Sequence, residues 1–161
     1  IPALVAQAQA VSLTDLDEPG LRAEAVGEAA SVISPQPALR AALLDYQRNF
    51  AASPPDGTNG AVLDGRDIGT VVCPDADVKI FVTASAEARA KRRHTELVGK
   101  GEEVSLEVVA ADLAARDARD SERATSPLAA ADDAHLLDTT KMDIEAAFQA
   151  AQSYVAACME D

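Results

Sequence analysis

Apolar positions recur with a helical period through the first third of the chain, then give way to short apolar runs separated by helical segments. Residues 1–18 are an Ala-rich stretch followed by "SLTDLDEPG", a turn before a helix. Pro19 stands near the first helical turn, and Leu21, Ala25, Glu28 and Ala29 carry the pattern to about Ile33. "SPQP" breaks it. Pro37 suits the first position of the next helix, where its missing N–H costs nothing. Leu39, Leu43, Leu44, Tyr46 and Phe50 give that helix an apolar stripe, which ends before the flexible loop "SPPDGTNG". This loop is the expected internal boundary, dividing residues 1–58 from 59–161.

Beyond it "AVLDG", "VKIFVTA" and "AHLLDTT" read as short buried strands, each leading to a loop or a helix. "SAEARAKRRHTELVGKG" begins at a Ser cap and ends in glycines. "SLEVVAADLAARDARDSER" is again Ser-capped, and "DIEAAFQAAQSYVAACM" is the last helix. Continuous apolar strands alternating with helices predict an α/β fold with a parallel sheet covered on both faces.

Composition narrows the function classes. A chain of 161 residues has the length of one domain, and aromatics at 3% without Trp offer no platform for stacking bases. A net charge of −13 disfavours binding to nucleic acid or to an anionic membrane surface. The charge is uneven, however. Residues 85–123 hold eight Lys and Arg against nine Asp and Glu, while the remainder holds six against eighteen. Ten of the fourteen basic residues are Arg. Arg clusters in an acidic protein point to specific recognition of a small anion. Cys73 and Cys158 lie far apart, without metal-type spacing, and read as reduced thiols in a cytosolic protein.

Three stretches carry candidate chemistry. "LDGRDIGT" leaves the expected first strand at its carboxyl end, where ligands bind in open parallel sheets. Gly65 and Gly69 allow positive φ or close approach, and Arg66 offers a planar fork of donors for phosphate or carboxylate. A surface turn with a local Arg–Asp pair is the plainer account of the same eight residues. In "RDARDSER", Arg116, Asp120 and Arg123 share one helical face, with Arg119 beside them. That face is either a phosphate clamp or a solvated surface laced by weak pairs. "KRRH", with Arg89 one turn upstream, leads into "VGKGEEVS" and reads as a cationic lid over about residues 92–105, or as a basic surface and linker.

Together and in this order these stretches resemble the bacterial cytidylate kinase family. "LDGRDIGTVVCPDADVKIFVTASAEARAKRR" is similar to that family's GRDxGTVVxPxAxxKxFxxAxxxxRAxRR run, and "RDARDSERATSPLAAADDAHLLDTT" to its RDxxDxxRxxxPLxxAxDAxxxDT run. "LRAEAVGEAASVISPQPALRAALLDYQR" resembles its monophosphate-binding insert. The resemblance covers about residues 20–145. Cys73 stands where the family often has Phe. The resemblance implies a nucleoside-monophosphate-kinase-like parallel sheet flanked by helices, and transfer of the ATP γ-phosphoryl group, with Mg²⁺, to CMP or dCMP. It implies that Arg66 and Arg116 hold the phosphates and neutralise charge in transfer. Asp120 would accept from the ribose hydroxyls. Ser31, Arg40 and Arg123 would read the cytosine edge, with Asp67 supporting that site, and Arg92 would belong to the ATP-side lid. The same resemblance implies a cytoplasmic monomer that binds neither nucleic acid nor membrane.

The family's phosphate-binding loop, G-x-x-x-x-G-K-S/T, does not occur in these 161 residues, and "VGKGEE" lacks its first Gly and its Ser/Thr. With a first residue of Ile1, this leads to the expectation of a kinase domain incomplete at its N-terminus, the C-terminal two-thirds of the enzyme, inactive alone. The alternative is a noncatalytic nucleotide-binding or interaction module without an ATP loop.

Overall fold

The computed structural model describes residues 2–11, 19–22, 24–33, 36–55, 57–121 and 128–160. Its contacts divide the chain into two compact units, 1–65 and 66–161. This division by contacts lies seven residues after the expected boundary at residue 58.

The first unit is helical. Helix α1 spans Pro2–Gln9, α2 spans Glu24–Ile33 and α3 spans Pro37–Ala52, with a single 3₁₀ turn at Pro19–Arg22. The helix expected to run from Leu21 therefore starts at Glu24, after that turn. Pro37 occupies the start of α3 behind an extended Gln36, as its fixed φ and missing donor favour. Helix α1 packs on α3, and Ala8 and Leu39 are the buried apolar residues there.

The second unit is α/β. Strand β1 (Ile80–Thr83) pairs in parallel with β2 (His135–Asp138), in the register Ile80↔His135 to Thr83↔Asp138. Between them lie α4 (Ala86–Gly99) and α5 (Leu106–Ser121), which pack on each other, and α6 (Ile144–Met159) follows β2 and packs on it. Ala90, Leu97 and Val109 are buried on α4 and α5, and the rings of His135 and Tyr154 stack 4.0 Å apart between β2 and α6. Each helix starts where a cap permits it. Ser85 accepts from the Ala88 N–H at 3.2 Å, Ser105 from Val108 at 3.3 Å, and Asp143 from Ala146 at 2.8 Å. Helix α4 closes through a left-handed Gly101 (φ 86°), with Gly101 N–H donating to Val98 O and Glu102 N–H to Leu97 O.

Two expectations are corrected. "AVLDG" is not a strand: residues 61–64 form no ladder, and Val62 is 95% exposed. An apolar run becomes a strand only when a neighbour satisfies its backbone donors and acceptors, and among the described residues none does. The sheet is also not covered on both faces, since Val82 and Leu136 remain 62% and 61% exposed. With two strands of four residues each and α6 packed on β2, the helices do not reach those side chains.

Candidate active site

The "GRDIGTVV" block builds the entry to the second unit. Residues 68–72 wind as a π-helical turn, with Val72 N–H donating to Asp67 O at 3.2 Å and Cys73 N–H to Ile68 O at 2.7 Å. Such one-turn π segments recur at functional sites because they redirect the side chains beside them. Val72 anchors the turn in the core and Asp67 is itself buried. Gly69 has no positive φ and lies beside the stem of Lys79, where an added Cβ would make an ordinary contact, 3.4 Å from Cδ of Lys79. The ammonium of Lys79 is paired to Asp133.

Arg66 precedes this turn and reaches α5. Its Nη1 lies 2.8 Å from Oδ2 of Asp120, whose side chain is only 3% exposed, while Arg66 keeps 36% of its own surface open. A buried carboxylate thus holds one edge of a guanidinium that still faces solvent, a contact that fixes its orientation. Asp117, one helical turn before Asp120, receives both terminal nitrogens of Arg89 from α4, at 2.9 and 2.6 Å. Arg89 Nε also donates to the carbonyl of Ala84, just past β1, at 3.3 Å. Arg116 is exposed on α5 and makes no hydrogen bond or ion pair among the described residues.

The electrostatics tie these groups together. The Arg89 hydrogen bonds hold the Asp117 carboxyl below its usual range against the opposing effect of burial, and the positive charges of Arg89, Arg66 and Arg116 add to this. The same hydrogen bonds raise Arg89 above the ordinary arginine value. Because Asp117 is depressed on folding, its stabilisation is present above the ordinary carboxylate value of about 3.9 and is lost as pH falls through the lower folded value. Asp117→Asn is therefore expected to lower stability near neutral pH and to flatten the loss of stability below about pH 4. Urea unfolding at a series of pH values checks this; an unchanged acid slope would count against it.

Arg66 and Asp120, both singled out in the sequence, meet at 2.8 Å, and Arg116, also singled out, lies one turn before Asp120 on α5. Arg89 and Asp117 were missed as a pair. The signal was there in Asp117 sharing a helical face with Asp120, but its partner lies 28 positions away on another helix. Arg92 stands apart from this group. Its Nη1 donates to Thr139 Oγ1 at 3.1 Å and its Nη2 to the carbonyls of Thr139 and Met142, so it fastens α4 to the loop after β2. The span expected as a lid is here the second half of α4, its Gly101 cap and the turn into α5, with His94 Nε2 3.1 Å from Val104 O. Ser31 lies in α2 and a half-buried Arg40 in the first turn of α3, both in the first unit. Arg123 lies outside the described residues.

Among the described residues no three His, Cys, Asp or Glu side chains converge as a metal cage. Asp117 and Asp120, the carboxylates nearest the arginines, are engaged by Arg89 and Arg66. These residues do not suit a protein-held Mg²⁺.

A family model described as cytidylate kinase matches residues 3–156. The chain belongs to the cytidylate kinase family. Among proteins named cytidylate kinase, that of Methylocella silvestris is 59% identical over 149 residues, 92% of this chain and 67% of that protein. That of Xanthobacter autotrophicus is 56% identical over 155 residues, 96% of this chain and 73% of the relative. That of Rhizobium meliloti is 54% identical over 154 residues, 96% of this chain and 71% of the relative.

Proposed function

We propose that this protein transfers the γ-phosphoryl group of ATP to CMP, giving CDP, and that it accepts dCMP as well. The observation that carries the mechanism is the half-exposed Arg66 held by the buried Asp120 beside Arg116. Phosphoryl transfer needs little covalent help from the protein; it needs the reacting groups aligned and the charge on the transferred oxygens stabilised. Arg66 and Arg116 supply that charge. They hold the phosphates of the acceptor and donor, and their guanidiniums stay cationic at every physiological pH. Asp120 orients Arg66, and its contact with the ribose hydroxyls is the second role assigned to it. Mg²⁺ would enter with the ATP phosphates, as that ion commonly does, keeping several of its waters.

Selection of the base falls to Ser31, Arg40 and Arg123, with Asp67 supporting them. Arg92, through its anchorage to Thr139 and Met142, would act on the ATP side by holding α4 in place. The protein would work as a cytoplasmic monomer without nucleic acid or membrane partners. No helix among the described residues is long and apolar enough to cross a membrane.

The test is a nucleotide panel on the intact protein with ATP: CMP, dCMP, UMP and AMP, followed by release of the nucleoside diphosphate. CMP and dCMP are expected to turn over well above UMP and AMP; no turnover of CMP would overturn the proposal. In the same assay Ser31→Ala and Arg40→Met are expected to narrow the CMP-to-UMP ratio of kcat/KM by roughly tenfold each, since an unpaired polar group at a base edge costs about 1–3 kcal/mol. Equal proportional losses on both nucleotides would show that the two residues support structure and do not select.

A further inference from the structure

Helix α4 carries three arginines within five residues, and each goes to a different place. Arg93 pairs with Glu96 on its own helix, Arg92 reaches the loop after β2, and Arg89 crosses to α5. The crossing contact is geometrically the most demanding. Both terminal nitrogens of Arg89 meet both oxygens of Asp117, and its Nε meets the carbonyl of Ala84. A planar fork used on two sides fixes the orientation of the guanidinium as well as its position. It thereby links the carboxyl end of β1 to one defined face of α5.

That face carries the groups proposed to bind phosphate. Arg116 precedes Asp117 directly, and Asp120, one turn later, grips Arg66. A small rotation or slide of α5 would therefore move Arg116 and Arg66 together. As a stabilising device the bridge is modest, because Arg89 and Asp117 are 36% and 32% exposed and partly exposed ion pairs contribute little. Its geometry is far more exacting than its contribution to stability.

We propose that the Arg89–Asp117 bridge is a positioning pair for phosphoryl transfer, setting the place at which α5 presents Arg116 and, through Asp120, Arg66. This rests on the reading of Arg66 and Arg116 as phosphate-binding groups. Neither member of the bridge touches substrate. Loosening it leaves nucleotide binding largely intact and misplaces charge in the transition state, where an error of about 1 Å can cost about a hundredfold.

The experiment uses the intact protein with Arg89→Lys, which keeps the charge and loses the fork, Asp117→Asn, which keeps an acceptor and loses the charge, and the double variant. Each single variant is expected to lower kcat about tenfold with KM for CMP and ATP within about threefold, the signature of an interaction realised in the transition state. The double variant is expected to be no slower than the slower single variant, since both changes break one bridge. Thermal unfolding is followed alongside. A lowered midpoint with wild-type kcat in Arg89→Lys would reduce the bridge to a structural tie and overturn the proposal, as would losses that multiply in the double variant. If Asp117→Asn does not fold, Arg89→Lys carries the comparison. Arg66→Ala is measured in parallel. Full turnover there removes the phosphate reading and this proposal with it, whereas loss there with full turnover in Arg89→Lys removes the bridge alone.

Discussion

Arg66→Ala and Arg116→Ala are each expected to lower kcat in the intact enzyme by at least about a hundredfold, because removing one preorganised donor from developing charge typically costs two to three orders of magnitude. The two substitutions should act differently on the protein itself. Arg116 is exposed, and its charge only adds to that of Arg89 on Asp117, so its loss should cost little stability. Arg66→Ala instead takes the 2.8 Å ion pair away from a carboxylate that is only 3% exposed. Lys91→Ala is the control, since Lys91 pairs only with the exposed Glu87 on its own helix, and such pairs contribute little. Steady-state kinetics with CMP and ATP checks all three. Turnover near wild type in either arginine variant would remove that residue from the phosphate site.

The second large effect is on stability. Asp120 is 3% exposed and meets Arg66 at 2.8 Å. Breaking a buried pair by removing one partner costs about 3–5 kcal/mol, whereas replacing both by apolar side chains of similar volume can be nearly neutral. Arg66→Ala is therefore expected to lower the unfolding free energy toward the lower end of about 3–5 kcal/mol, since Arg66 is itself partly solvated. Arg66→Met combined with Asp120→Leu, which fill a similar volume, should recover most of that loss without recovering kcat. Urea unfolding separates the outcomes: a double variant less stable than Arg66→Ala would mean that Asp120 stabilises the fold through contacts other than this pair.

The two effects together distinguish the roles of the two residues. On this reading Asp120 orients Arg66, and Arg66 helps to compensate its buried charge. Arg66 is oriented by that burial and remains open on its other side. A surface Arg–Asp pair, the plainer account of the same sequence, would have both partners solvated and would predict neither effect.

Much of this was legible along the chain. The caps at Ser85 and Ser105, the proline start of α3, the glycine end of α4 and the strands around "KIFVT" and "HLLD" all appear where the pattern places them. Each depends on bonds within a turn of its own residue, so neighbouring sequence suffices. The family was legible for a related reason, because the Arg, Asp and Gly positions of the two long runs are spaced as that family spaces them. Arg66, Asp120 and Arg116 followed from those runs.

What tertiary structure decided lies wherever the partner is distant. Residues 61–64 have the composition of a strand and are not one, because a strand needs a neighbour's backbone. Gly69 was expected to allow positive φ or close approach, and it has no positive φ but lies beside the stem of Lys79, ten residues on. Arg92, expected on the ATP-side lid, is tied to Thr139 and Met142, contacts 47 and 50 positions away that no local pattern shows. Arg89 and Asp117 carried no joint signal at all, since their bridge exists only once α4 and α5 have packed. Local hydrogen bonding and residue spacing were thus determined by the sequence by itself. Which arginine meets which carboxylate was decided by the packing of helices, since a guanidinium reaches only the few groups that the fold brings within hydrogen-bond distance.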